Sequence, residues 1–230
     1  MQVSKLWDGL IHLLYPRLCE ACSKPLLQQE EVLCIRCESC LPFTNYHSTT
    51  DNETALRLSG RFPFTHATSL AYFHEENILQ HLLHRLKYKN RQHIGAYLGR
   101  HLAHALSSSG WNIDAVIAVP LHKKKEAQRG YNQSMLVAET LSETLRIPTL
   151  SNTIERVKHT ASQTNKSRQE RVDNVKDAFR VNSTRLLENK HVLLIDDVIT
   201  TGSTIEACAL ELLKINGLKI SVATIGIAVG

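Results

Sequence analysis

Apolar and polar positions along this chain fall into alternating short strand-like runs and longer helical ones. Near the start, Leu6, Leu10, Leu13 and Leu14 sit at helical spacing, which predicts a short amphipathic helix. Residues 45–66 show neither period and are polar, so they read as a linker. From about residue 67 the pattern is regular. Residues 68–73 predict a strand. Leu79, Leu82, Leu83 and Leu86, then Ile94, Leu98, Leu102 and Leu106, predict two helices with one apolar face each. Residues 114–119 predict an apolar strand that Pro120 ends. Asn132 is placed to cap a helix carrying Leu136, Leu141 and Leu145. Residues 192–195 predict a buried strand, 203–216 a helix closed by Gly217, and 219–229 a final strand. Strands alternating with helices predict an α/β fold with a parallel sheet covered on both faces. The division expected is 1–44, a linker at 45–66, and a main domain at 67–230, without internal repeats.

Composition narrows this little. The 230 residues are 43% hydrophobic with a formal net charge of +5, which permits a polyanionic partner without requiring one. No apolar run is long enough to span a membrane. The N-terminus lacks the charged, apolar and small-residue zones of a signal peptide, so a cytoplasmic location is expected. Cysteine placement says more. Five of the six cysteines lie between positions 19 and 40, and in a reducing compartment such crowding favours metal over disulfides. Cys19-x2-Cys22 and Cys34-x2-Cys37 have zinc-ribbon-like spacing: each knuckle presents two thiolates, and two knuckles make a closed tetrahedral site. The expected cofactor is a structural Zn2+ on Cys19, Cys22, Cys34 and Cys37. Cys40 is a bystander or a substitute ligand, and Cys208 reads as core.

The most informative segment runs from the apolar residues 192–195 into Asp196 and Asp197, then Val198, Ile199, Thr200, Thr201, Gly202, Ser203 and Thr204. Backbone N–H groups and the dipole at a helix N-terminus favour a phosphate. Gly202 lets the backbone approach it, and the hydroxyls add donors. Adjacent carboxylates at a strand end can accept hydrogen bonds from two vicinal sugar hydroxyls and sit beside a divalent cation. The loop is neither a Walker A loop nor a dinucleotide fingerprint. It resembles the phosphoribosyl pyrophosphate (PRPP) loop of type I phosphoribosyltransferases. That resemblance implies that Asp196 and Asp197 hold the ribose hydroxyls, that Thr200, Thr201, Gly202, Ser203 and Thr204 hold the 5′-phosphate, and that Mg2+ accompanies PRPP.

Two further segments fit the same ligand. Val119-Pro120-Leu121-His122 leads through a basic loop, Lys123-Lys124-Lys125, to Arg129-Gly130-Tyr131-Asn132-Gln133-Ser134. Positive charge there suits the departing pyrophosphate, with His122, Arg129, Asn132 and Gln133 as candidates, although the three lysines alone read sooner as a solvated surface run. Residues 156–175 are long, polar and basic, which suits a lid over a water-sensitive centre or a surface hairpin; Thr160, Gln163 and Arg171 are its candidates. In this order the three segments, with Leu86-Lys87-Tyr88-Lys89 and the cysteine pattern, resemble the ComF family of competence-associated phosphoribosyltransferase-like proteins. The chain departs from it in having lysines where many members carry an arginine before Arg129, and Tyr131 where phenylalanine is commoner.

Between Asn77 and Ile113 there is no acidic residue, and Tyr88 and Tyr97 are interleaved with Arg85, Lys87, Lys89, Arg91 and Arg100. This reads either as two ordinary surface helices or as a track for single-stranded DNA. His81, His84, His93, His101 and His104 lack an acid or cysteine at ligand spacing and read as surface residues. Three functions stay open: transfer of phosphoribosyl from Mg–PRPP to an unknown acceptor; a non-catalytic PRPP sensor or single-stranded-DNA accessory working with DNA-processing proteins, as ComF resemblance implies; and nucleotide salvage, which the absence of a base-binding segment after the last strand disfavours. The oligomeric state is not legible.

Overall fold

A computed structural model of the chain describes residues 16–157 and 178–229. The expected N-terminal helix and the lid candidates Thr160, Gln163 and Arg171 lie outside the described residues. The described strands are β1 (Ala67–Phe73), β2 (Ala115–Ala118), β3 (Ile154–Arg156), β4 (Phe179–Val181), β5 (His191–Ile199) and β6 (Lys219–Ala228). The helices are α1 (Ile35–Glu38), α2 (Glu53–Leu58), α3 (Ile78–Tyr88), α4 (Gln92–Ser107), α5 (Lys123–Arg129), α6 (Gln133–Leu145) and α7 (Ser203–Leu212). Four strands form a parallel sheet in the order β1-β6-β5-β2, and β3 and β4 pair antiparallel beside it.

Both faces of the sheet are buried, as the period-two pattern of a covered parallel sheet requires. Val116, Ala118, Leu193 and Ile195 point to one side, where they meet Leu79, Leu82, Leu83 and Leu86 of α3, Ile94 and Leu98 of α4, and Val137 and Leu141 of α6. Ala115, Ile117, Val192 and Leu194 point to the other, against Ile205, Cys208 and Leu212 of α7. Cys208 is therefore core, as expected. Each fully buried leucine contributes roughly 2 kcal/mol of transfer free energy, so the helix faces read from spacing account for much of the cohesion. Helices α4 and α6 approach closely because Gly95 and Gly99 have no side chain. A Cβ at Gly99 would stand 3.0 Å from the Cβ of Thr140 and 3.1 Å from the Val137 carbonyl.

The structure corrects four local expectations. Residues 45–66 are not irregular: they contain a 3-10 turn (Tyr46–Ser48) and α2, and both Leu58 and Phe62 are buried. Residues 123–125 form the start of α5 rather than a loop; the His122 side chain caps it, and Gly130 ends it at φ 83°. Strand β5 does not stop before the acids but runs through them to Ile199, with Asp196 opposite Thr224 on β6. Helix α7 ends at Leu212, four residues short of the expectation, and Gly217 takes φ 68° in the turn beyond it.

Candidate functional site

Asp196 and Asp197 stand at the C-terminal end of β5, on successive residues and so on opposite sides of the strand. Asp196 Oδ1 accepts hydrogen bonds from Ser134 Oγ at 3.1 Å and from the Asp197 backbone N–H at 2.9 Å. Burial, reinforced by the neighbouring Asp197 charge, nevertheless pushes the Asp196 carboxyl up to about 7. The loop after β5 turns at Gly202, whose φ of 82° is easy only for glycine. A Cβ there would also come within 3.2 Å of Leu58 Cδ2. Gly202 is the N-cap of α7, so this ten-residue helix points its positive end at the loop. Thr201 Oγ1 lies 3.0 Å from Ser203 Oγ and accepts from the Ser203 N–H at 3.4 Å.

Cations stand beside the acids. Lys87, at the end of α3, places Nζ 2.6 Å from Asp197 Oδ2. Lys125 on α5 is pushed down by burial, then by repulsion from Arg156, Arg129 and Lys87, while Asp197 pulls it up. Arg156 on β3 is also lowered by burial and raised by Asp196. Lys87 thus pairs with Asp197 directly, and Lys125 and Arg156, from α5 and β3, lie near enough for each to feel one acid of the pair. The Arg129 guanidinium lies 5.4 Å from the centre of the Tyr88 ring and donates to Gln133 Oε1 at 2.7 Å. The remaining candidates have partners of their own. His122 Nδ1 accepts from the Lys124 N–H at 3.2 Å. Asn132 caps α6 through the Ser134 N–H and donates to the Val119 carbonyl at 3.0 Å. Gln133 orients Arg129. The Tyr131 hydroxyl, the departure from the commoner phenylalanine, donates to the Leu86 carbonyl and so ties α3 to the turn before α6. Lys87, Ser134 and Arg156 were not among the site candidates read from sequence, and Lys125 was named only within a basic run. Each lies in a segment that drew notice, but only the folded chain aims them at one point.

A family model described as the phosphoribosyl transferase domain matches residues 89–229. The "DNA utilization protein YhgH" of Shigella flexneri is 32% identical over 202 residues, covering 86% of this chain and 84% of that protein. The chain belongs to the ComF branch of the phosphoribosyl transferase family. "Competence protein F" of Haemophilus influenzae is 37% identical over 147 residues, or 61% of this chain and 64% of that one. Among solved structures, a purine phosphoribosyltransferase from Pyrococcus horikoshii aligns with 59% of this chain and 72% of its own, at 19% identity and a TM-score of 0.35.

The second site of this ComF chain is its cysteine cluster. The sulfurs of Cys19, Cys22, Cys34 and Cys37 all lie within 4.8 Å of one another, and Cys22 and Cys34 are 3.7 Å apart. Four sulfurs at about 2.3 Å from a tetrahedral centre stand about 3.8 Å apart, so the donor set fits Zn2+. Burial opposes ionisation of Cys19, but the backbone N–H groups of Cys22, Cys34 and Ala21 together outweigh it and bring the thiol down to about 7. Cys40 is exposed and outside the cluster.

The same module answers the question of the acid-free stretch. Glu20, only 7% exposed, meets Arg85 Nε at 2.7 Å, His93 Nε2 at 2.9 Å and Arg91 Nε at 3.8 Å. Glu31 pairs with Arg100, and Glu38 lies 3.3 Å from His101. His93 and His101 thus have acid partners that local spacing did not show, and Tyr97 is buried. Much of the positive charge on α3 and α4 is engaged by the cysteine module. Replacing Glu20 with glutamine leaves several cations facing one another, and a loss of about 2–3 kcal/mol is expected. Thermal melts at low salt measure it; an unchanged midpoint would show the cluster to be ornamental. Among the described residues no helix is long and apolar enough to cross a membrane.

Proposed function

We propose that the chain binds Mg–PRPP and transfers its phosphoribosyl group to an acceptor with release of pyrophosphate. The observation that carries this reading is the pairing of Lys87 with Asp197, with Lys125 and Arg156 close by, beside the loop of Thr200, Thr201, Gly202, Ser203 and Thr204. The loop and the α7 N-terminus take the 5′-phosphate. The two carboxylates accept hydrogen bonds from the ribose 2′- and 3′-hydroxyls, and a cation there draws Asp196 into its ionised form. Lys87, Lys125 and Arg156, with Arg129 beyond them, face the pyrophosphate. The C1–O bond breaks with its electron pair going to pyrophosphate, whose growing charge the cations stabilise. An acceptor nitrogen then bonds to C1 and gives up its proton to the departing pyrophosphate or to water. No described side chain has to serve as its base, so the acceptor brings a nucleophilic lone pair. Mg2+, with hard oxygen donors such as Asp196, Asp197 and the phosphates, supplies charge neutralisation. Zinc on the four cysteines is structural in this reading. The printed names of the relatives point to a setting in DNA use or competence.

Turnover is tested by pyrophosphate release from Mg–PRPP across nucleobase and amine acceptors. Release that depends on one acceptor class establishes the transferase. Binding without release across all classes would leave a PRPP sensor. The single-stranded-DNA reading is weakened by the engagement of Arg85, Arg91 and Arg100 with acids, although Tyr88 and Lys89 stay exposed.

A further inference from the structure

Arg57 on α2 lies in the stretch whose sequence pattern suggested a linker. Its Nη1 is 2.6 Å from the Ala228 carbonyl, 3.0 Å from that of Thr200 and 3.3 Å from that of Ile199. One guanidinium nitrogen carries two hydrogens, so the two shorter contacts are the principal bonds and the third shares a donor. The three carbonyls are the last of β5, the first of the phosphate loop and the last of β6. Arg57 therefore gathers the C-terminal ends of two neighbouring strands and the entry to the loop.

The helix that carries it is held firmly. Asn52 caps α2 by accepting from the Ala55 N–H at 3.0 Å, and donates to the Ala67 carbonyl of β1 at 2.9 Å. Thr54 Oγ1 lies 2.7 Å from Ser69 Oγ, which lies 2.7 Å from Thr224 Oγ1, which donates to the Gly226 carbonyl at 3.0 Å. These three side chains are fully buried, a relay of hydroxyls from α2 through β1 into β6. Leu58, next to Arg57, is buried against Gly202.

A trans peptide sets one residue's C=O and the next residue's N–H on opposite sides, and no described peptide is cis. With the Ile199 and Thr200 carbonyls drawn toward α2, the N–H groups of Thr200 and Thr201 face away from it, across the loop. We propose that Arg57 is a positioning residue that presets the phosphate loop for the 5′-phosphate of a ribosyl ligand. The proposal rests on the PRPP reading but concerns one end of the ligand only.

The test titrates ribose 5-phosphate and inorganic pyrophosphate, each with Mg2+, into the full-length protein and its Arg57→Gln and Arg57→Lys variants. Ribose 5-phosphate affinity is expected to fall about tenfold in Arg57→Gln and to recover partly in Arg57→Lys. Pyrophosphate affinity stays unchanged. Equal losses for both ligands would reduce Arg57 to a general support, and an unchanged ribose 5-phosphate affinity would overturn the proposal outright. The wild type gives a check that needs no variant: in amide NMR, the Thr201 N–H moves downfield with ribose 5-phosphate and not with pyrophosphate, and a still Thr201 signal contradicts the proposal even if the variants fail to fold. A wild type that binds pyrophosphate but not ribose 5-phosphate sinks the Arg57 proposal alone; one that binds neither, nor PRPP, sinks the PRPP reading with it.

Discussion

Replacing Asp196 with asparagine raises the melting temperature of the ligand-free protein at pH 8 while it weakens binding of Mg–PRPP by about a hundredfold. The two effects share a cause. Burial and the adjacent Asp197 charge lift the Asp196 carboxyl to about 7 in the folded chain, against about 4 when unfolded. A raised carboxyl contributes stability that is fully present below about pH 4 and is lost as the pH rises through about 7. At pH 8 the folded protein therefore holds an ill-solvated charge. Asparagine keeps the acceptor oxygen for Ser134 and the Asp197 N–H but carries no charge. The gain is about 1–2 kcal/mol, or roughly 4 °C, and it shrinks as the pH falls from 8 toward 4. The ligand loses a charged acceptor for its hydroxyls, an interaction of about 2–3 kcal/mol, which gives the hundredfold estimate. Melts at pH 8 and pH 5 check the stability half. A variant no more stable than wild type at pH 8 would mean that Asp196 is better solvated than its surroundings imply.

Replacing Cys22 with serine has the second large effect. Cys22 is exposed while its sulfur belongs to the four-sulfur cluster, so its loss removes ligation without removing packing. The wild type is expected to carry one zinc per chain by elemental analysis, and Cys22→Ser close to none. The segment has little core to itself; Leu26, Val32, Leu33 and Leu41 reach into the main core. Loss of the metal therefore loosens that seam, with a destabilisation of at least about 3 kcal/mol. The Glu20, Glu31 and Glu38 contacts loosen with it and return positive charge to α3 and α4, so salt-sensitive adhesion to polyanions should rise. Cys40→Ser, outside the cluster, is the control and should change neither metal content nor melting. Equal metal content in Cys22→Ser and wild type would contradict the assigned donor set.

What the sequence made legible was whatever repeats locally. The apolar faces of α3 and α4 follow from leucines at helical spacing, and the two-sided burial of β5 follows from its unbroken apolar run. The acid pair and loop stood out because two carboxylates, four hydroxyls and a glycine are concentrated in nine consecutive residues. Contacts between distant segments were not readable. Arg85 and Arg91 look unpaired until Glu20, some 65–71 residues earlier in the chain, folds against them. Aspartate is a poor strand former, so the pattern stopped β5 at Ile195; pairing with Thr224 and Gly226 on β6 carries it on. The lysine run 123–125 looks like loop, yet lysine is a good helix former once His122 and Gly130 cap the ends. Residues 45–66 showed no period because α2 is under two turns long and is held by Asn52, Thr54 and Leu58 through contacts with β1 and the loop after β5.

The central claim is that Asp196, Asp197 and the loop after them form a PRPP site. Isothermal titration of Mg–PRPP into the zinc-loaded protein, beside an Asp196→Asn/Asp197→Asn double variant shown to be folded, tests it most directly. Saturable one-to-one binding to the wild type, lost in the double variant, is the expected result. Equal binding by both, or none by a folded wild type, would contradict it.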